Sequence, residues 1–283
     1  MDAAVVAALA IVVGSIAYSA WKRLYFSIVA SIACIAVFIL TVAADALGEL
    51  AFMPGDLLDP GRVYTVLTSM FSHADVYHIF YNLLGLVFLG MIFEQRIGTR
   101  PFILLYLISG LFGVLAFAAL RWDDPLAAVV GASGAISGVL GGFARLYPNE
   151  RLSMMLMFIP MPPMPVWVIV LLFIGLQFLF IGGSNIAVES HFAGLAAGIV
   201  FAPLVKGMRL RPRAERTVSY SLLSRLAVTP ELRSILKRIE NEEVPDVRSA
   251  WVDHFFSKAR CPRCGARLAV RRDAAVCERG HEI

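Results

Sequence analysis

Four polar side chains stand in apolar surroundings at spacings that suit chemistry. His78 and Asn82 are four residues apart, Ser133 lies in Gly131-Ala-Ser-Gly-Ala-Ile-Ser-Gly138, and His191 opens His191-Phe-Ala-Gly194-Leu-Ala-Ala-Gly198. A hydroxyl and an imidazole suit a nucleophile and its base, while a carboxamide, a second imidazole and a backbone N–H suit the stabilisation of a developing oxyanion. Taken singly each has a plainer reading: a serine bonded to its own i−4 carbonyl, a histidine at a helix end, an asparagine clamping two helices. Their coincidence points to a reaction site.

The surrounding chain is that of a membrane protein. Of 283 residues 59% are hydrophobic and 16% charged, against about a quarter charged in soluble domains, and mean hydropathy is +0.75. The apolar runs predict seven spans, Ala3–Trp21, Tyr25–Ala44, Tyr77–Phe93, Pro101–Leu120, Pro125–Tyr147, Pro165–Gly182 and Ser190–Leu204, each near the roughly 20 residues a helix needs to cross a bilayer. They are read as helices because lipid offers the backbone no hydrogen-bond partners. The first run is kept as a span, since its cations Lys22 and Arg23 follow the apolar stretch where a secretion signal has them in front.

Charge sets an orientation. Lys22, Arg23, Arg96, Arg100, Arg151 and the Lys206–Arg216 cluster fall on one side of the seven-span arrangement; Asp45, Glu49, Asp56, Asp59 and Asp75, then Arg121 with Asp123 and Asp124, fall on the other, with an uncharged loop Gly182–Val188. Cations are retained in the cytoplasm, so the N-terminus is expected outside and the C-terminal tail inside. The third, fifth and seventh spans then all enter from the outer face. Ser133 is expected about two turns into the fifth span, and at 1.5 Å per residue the four polar groups come out about 5–15 Å deep, in one layer. Gly131, Gly134, Gly138, Gly141 and Gly142 on one span and Gly194 and Gly198 on another let two backbones approach closely.

His73-x4-His78-x3-Asn82, Gly-Ala-Ser133-Gly-Ala and His191-x2-Gly-x3-Gly, in that order on alternate spans, resemble the rhomboid intramembrane serine proteases. The resemblance covers about residues 25–204. It implies a six-helix core with the first span (1–23) as an addition, transmembrane proteins as substrates, and a Ser133–His191 dyad that needs no carboxylate and no cofactor. It also implies oxyanion stabilisation by His78, Asn82 and the Ser133 N–H, a partly embedded first loop carrying Phe71-Ser-His73, and a gate formed by the sixth span with the loop 181–189. The chain departs from the family pattern in two places. The aromatic-Arg pair expected before the first histidine is replaced, with Thr65 at that distance and Arg62 the nearest arginine, and Ser137 stands where an aromatic usually supports the catalytic ring.

Beyond residue 205 the composition changes. Seventeen of the 25 Lys and Arg lie there, so residues 1–205 sum to −3 and residues 206–283 to +7. The stretch 206–258 reads as a basic linker with short amphipathic helices over Pro230–Glu240 and Val247–Lys258, separated at Asn241–Pro245. Within 259–283, Cys261-Pro-Arg-Cys264-Gly and Cys277-Glu-Arg-Gly-His281 have the spacing of a Cys3His site holding one structural Zn2+, and resemble a zinc ribbon. Its arginines, Arg263, Arg267, Arg271 and Arg272, suit a protein partner, anionic lipid or nucleic acid. Cys34 reads as packing in an apolar span. The expected fold is an all-α polytopic membrane protein of the cell membrane, with this small cytoplasmic tail. An endopeptidase is the leading function; a non-cutting scaffold that recognises spans, or a channel, are the competing classes. The scaffold would normally have lost Ser133 or His191, and the channel fits poorly with so few charges inside the spans.

Overall fold

The structure, a computed structural model, describes residues 2–153, 155–156, 159–180, 186–207, 219–241, 245–271 and 274–282. They fall into two compact units, 1–209 and 210–283.

The first unit is helical and carries the apolar runs: α1 (Ala3–Lys22), α2 (Phe26–Ala44), α3 (Val76–Ile97), α4 (Thr99–Leu120), α5 (Ser133–Leu146), α6 (Val166–Phe180) and α7 (Val188–Gly207). Five of them, α1 to α4 and α7, are long and apolar enough to cross a membrane, and α6 is a shorter apolar helix. The chain is therefore a multi-pass membrane protein. The turn between α1 and α2 runs through Arg23 in the left-handed region (φ 57°). No side chain of its own caps α2; Glu94 on α3 does so instead, its carboxylate accepting from the N–H groups of Phe26 (2.6 Å) and Ser27 (2.8 Å). A carboxylate at a helix N-terminus satisfies orphan donors and complements the dipole, so Glu94 is a helix-end contact.

α3 is interrupted by a π-helical stretch, Gly85–Gly90, and ends at Gly98, whose φ of 90° breaks the helix. α5 and α7 pack through their glycines. A Cβ at Gly194 would lie 2.0 Å from the Gly134 carbonyl oxygen, and one at Gly198 only 1.9 Å from that of Gly138. No other residue type allows such approach, which is why the small residues of these two spans recur at every turn.

The fifth span differs from expectation. The helix begins at Ser133, so the apolar residues 125–132 precede it and Ser133 occupies its first turn. The apolar pattern cannot show this, because the competing partner is remote. Phe52 and Val129 exchange both backbone hydrogen bonds (3.1 and 2.9 Å), and the Gly131 N–H donates to the Ser69 carbonyl at 2.8 Å. With Val129 and Gly131 bonded to the first loop, residues 127–131 stay out of the helix, and Gly131 at φ 118° turns the chain into it.

The first loop is built on Asp56, which is buried and accepts from Arg62 Nε (2.7 Å), Thr65 Oγ1 (2.9 Å) and the Met53 N–H (3.0 Å). Arg62 also reaches Glu49, and its hydrogen bond to Asp56 raises the guanidinium above its ordinary pKa. Thr65, which stands where the family's aromatic-Arg pair is expected, and Arg62, the nearest arginine, thus bind the same carboxylate.

The second unit packs α8 (Tyr220–Leu226), α9 (Pro230–Asn241), α10 (Pro245–Lys258) and an antiparallel pair, β1 (Leu268–Arg271) with β2 (Ala274–Cys277). Leu232, Ile235, Leu236 and Ile239 make one buried stripe of α9, and they share a core with Leu223, Phe255, Leu268 and Cys277. α8 lies in a stretch for which the sequence suggested no element. Residues 208–216 of the cationic cluster, 242–244 of the Asn241–Pro245 break and Arg272 lie outside the described residues.

Candidate active site

Ser133 and His191 meet. The Ser133 hydroxyl lies 2.7 Å from His191 Nε2, on α5 and α7 respectively. The other ring nitrogen, Nδ1, lies 2.9 Å from Gln177 Oε1 on α6, and the Phe173 ring of α6 is 6.1 Å from the imidazole. An amide oxygen only accepts, so Nδ1 carries the proton, Nε2 is left with its lone pair, and the serine hydroxyl donates to it. Ser137 plays no part in holding the ring: its hydroxyl donates to the Ser133 carbonyl at 2.7 Å.

His78 sits across from the pair. The point where a Cβ would stand on Gly131 is 2.5 Å from His78 Nε2 and 3.6 Å from Ser133 Oγ. Glycine at 131 therefore keeps open a space that both groups border. His78 Nδ1 accepts from the Ala74 N–H (3.4 Å), which leaves Nε2 protonated and facing this space as a donor. The Asp75 carboxylate caps α3 by accepting the His78 N–H at 2.9 Å, fixing the turn that carries the ring. His73, buried, stacks edge-on to His78 at 5.1 Å, and its Nε2 accepts from the Ala132 N–H just ahead of Ser133 (3.5 Å). Because α5 begins at Ser133, the first N–H groups of that helix have no intrahelical acceptor.

Asn82 lines the same cavity, but one N–H of its carboxamide is already given to the His78 carbonyl at 2.8 Å, and its buried Oδ1 has no partner among the described residues. The cavity holds about 890 Å3 and is walled by α3, α4, α5, α7 and the segment 126–131, with Asp75, Arg121, Asp124 and Glu189 among its charged residues. Arg121 and Glu189 pair at 2.8 Å. In the loop 181–189, residues 181–185 lie outside the described residues.

The polar residue that the sequence left unmarked is Gln177. Its signal was present: it is the one strongly polar side chain in the run 165–182, and polar groups inside spans are functional by default.

Residues 60–207, more than half of the chain, match the Rhomboid domain family. The chain belongs to the rhomboid family. Among curated relatives it is 32% identical over 170 residues to "RHOMBOID-like protein 12, mitochondrial" of Arabidopsis thaliana (54% of this chain, 49% of that protein). It is 33% identical over 172 residues to "Rhomboid protease GluP" of Bacillus subtilis (61% and 32%), and 34% identical over 83 residues to "Rhomboid-like protease 3" of Toxoplasma gondii (29% and 30%). The matches thus span half or less of these relatives. The family region contains Ser133, His191, His78, Asn82 and Gln177; α1 and α2 precede it.

In the second unit Cys261, Cys264, Cys277 and His281 bring one ligand atom each to within 4.8 Å of one another, a set able to hold a metal ion. Each pair ends in a turn closed by a glycine of positive φ, Gly265 (70°) and Gly280 (81°). The Gly265 N–H donates to the Cys261 carbonyl and the Gly280 N–H to that of Cys277, both at 2.8 Å.

Proposed function

We propose that the chain is an intramembrane serine endopeptidase that cuts transmembrane segments of other proteins near the outer face of the cell membrane, with Ser133 as nucleophile and His191 as base. The observation that carries this reading is the 2.7 Å contact between the Ser133 hydroxyl and His191 Nε2 at the mouth of a helix N-terminus. His191 takes the hydroxyl proton as Oγ attacks the peptide carbonyl, then returns it to the leaving amine. The carbonyl oxygen gains charge in the space bordered by Gly131, where the Ser133 N–H, His78 Nε2–H and the second N–H of Asn82 serve as donors. The relatives named as proteases support the same chemistry.

A bilayer setting follows from length. The 14 residues of α5 rise about 21 Å, short of a hydrocarbon core about 30 Å thick. If Leu146 reaches one face, Ser133 lies roughly 10 Å inside the other. The alternation of cations makes the Ser133 face the outer one and leaves the second unit cytoplasmic. Peptide-bond attack needs an extended strand, so segments weakened by Gly or Pro are the favoured substrates. Labelling by a serine-directed fluorophosphonate tests the dyad: the wild type should react, Ser133→Ala should not, and equal labelling of both would end the proposal.

For the tail we propose one structural zinc. Tetrahedral bonds of about 2.3 Å to sulfur and 2.0–2.1 Å to nitrogen put ligand atoms about 3.6–3.8 Å apart. Cys264 and Cys277 Sγ are 3.7 Å apart, and His281 Nδ1 lies 3.8 Å from Cys261 Sγ and 3.5 Å from Cys277 Sγ. Three thiolates and an imidazole are zinc's preferred donors, and the closed set assigns the ion a folding role, outside the proteolytic chemistry.

A further inference from the structure

We infer that Gln177 is a positioning residue for the dyad: its carboxamide oxygen holds the proton on His191 Nδ1 and so keeps Nε2 free to accept from Ser133. The inference rests on the dyad reading above and names the group that a dyad without a carboxylate otherwise lacks. A free imidazole exchanges its proton between two nitrogens, and only the tautomer with an unprotonated Nε2 can act as base toward Ser133 Oγ. An acceptor fixed at Nδ1 selects that tautomer and also fixes the ring's rotation. Gln177 Oε1 supplies the acceptor at 2.9 Å.

The surroundings give the carboxamide no other evident purpose. On α6 only Val166, Ile169 and Gln177 are buried among the described side chains, while Leu171, Leu172, Phe178 and Leu179 are exposed. Among the described side chains of the helix's second half Gln177 is thus the single buried one, a polar one where an apolar helix would bury a leucine at less cost. A neutral amide suits the place better than a carboxylate, since it accepts a hydrogen bond without bringing a charge into an apolar environment. Ser137, at the position of the family's aromatic support, is turned back onto its own helix, so the ring is held from α6.

The test uses full-length protein in proteoliposomes with a cleavable transmembrane substrate. Gln177→Leu keeps the volume and removes the acceptor. It should lower kcat and the rate of fluorophosphonate labelling together, by at least about 10–100-fold, the loss typical when the outer partner of a metal-bound imidazole is removed. KM should hold, and so should substrate binding measured with Ser133→Ala/Gln177→Leu against Ser133→Ala. Gln177→Glu, which keeps an acceptor oxygen but brings a carboxyl group into the apolar site, should retain clearly more activity than Gln177→Leu and less than the wild type. A wild-type kcat in Gln177→Leu would overturn the inference, as would a loss that appears in KM or thermal stability and is not rescued by glutamate. If the wild type itself gave no Ser133-dependent cleavage, the dyad reading would fall first, which the Ser133→Ala control reports separately.

Discussion

Replacing Gly131 by alanine probes the reacting space with a single methyl group. The added Cβ would stand 2.5 Å from His78 Nε2 and 2.8 Å from its Cε1, closer than any real Cβ contact, so either the imidazole moves or the loop does. The backbone at φ 118° adds strain of about 1–3 kcal/mol for a residue with a side chain. That is a fraction of the 5–15 kcal/mol typical of a folded domain, so the variant should fold. Catalysis should suffer far more. Displacing one oxyanion donor costs about 10²–10³ in rate, and the methyl group would also enter the space proposed for the carbonyl oxygen. Gly131→Ala should therefore lose at least that factor in kcat against a reconstituted transmembrane substrate, with its melting temperature lowered only modestly. Gly14→Ala on α1, where a Cβ meets nothing within 4 Å, is the control and should cleave normally. A Gly131→Ala variant that cut at the wild-type rate would show that His78 Nε2 and Ser133 do not border the reacting carbonyl.

Other expectations follow from the same geometry. Ser133→Ala and His191→Ala should each abolish cleavage, and the double variant should be no worse than either, because nucleophile and base act as one unit. His78→Ala and Asn82→Ala should retain measurable turnover, lowered by about 10²–10³, since the Ser133 N–H remains; an Asn82→Ala enzyme as fast as wild type would reduce that side chain to its bond with the His78 carbonyl. Gly194→Ala would drive a Cβ to 2.0 Å from the Gly134 carbonyl oxygen and separate α5 from α7 by an ångström or more, which at the dyad is worth about 10²-fold. Elemental analysis should find one zinc per chain, lost in Cys261→Ser/Cys264→Ser while proteolysis largely survives, and metal-free wild type after mild purification would count against the site.

Most of the site was legible because its chemistry is local in sequence. Ser133, His78 and His191 are polar groups in apolar runs, two of them with glycine close by, and the four residues able to hold a metal come as two short pairs; such patterns survive without tertiary knowledge. What was not legible depended on distant partners. The start of α5 at Ser133 is decided by Phe52 and Ser69, whose backbones take the hydrogen bonds that would have continued the helix toward residue 125. The first loop rests on Asp56 gathering Arg62 and Thr65, and a family pattern at other spacings gives no hint of it. Gln177 was visible as a lone amide in an apolar span, yet its meaning appears only when α6 is laid beside His191.

The most direct test of the central claim is cleavage by purified protein in liposomes, with the products of a Gly-Ala-interrupted transmembrane substrate mapped by mass spectrometry. Wild type should yield one cut within the spanning segment, close to its outer end, and Ser133→Ala should leave the substrate intact. Products that persist in Ser133→Ala, or a substrate left whole by a folded wild type, would contradict it.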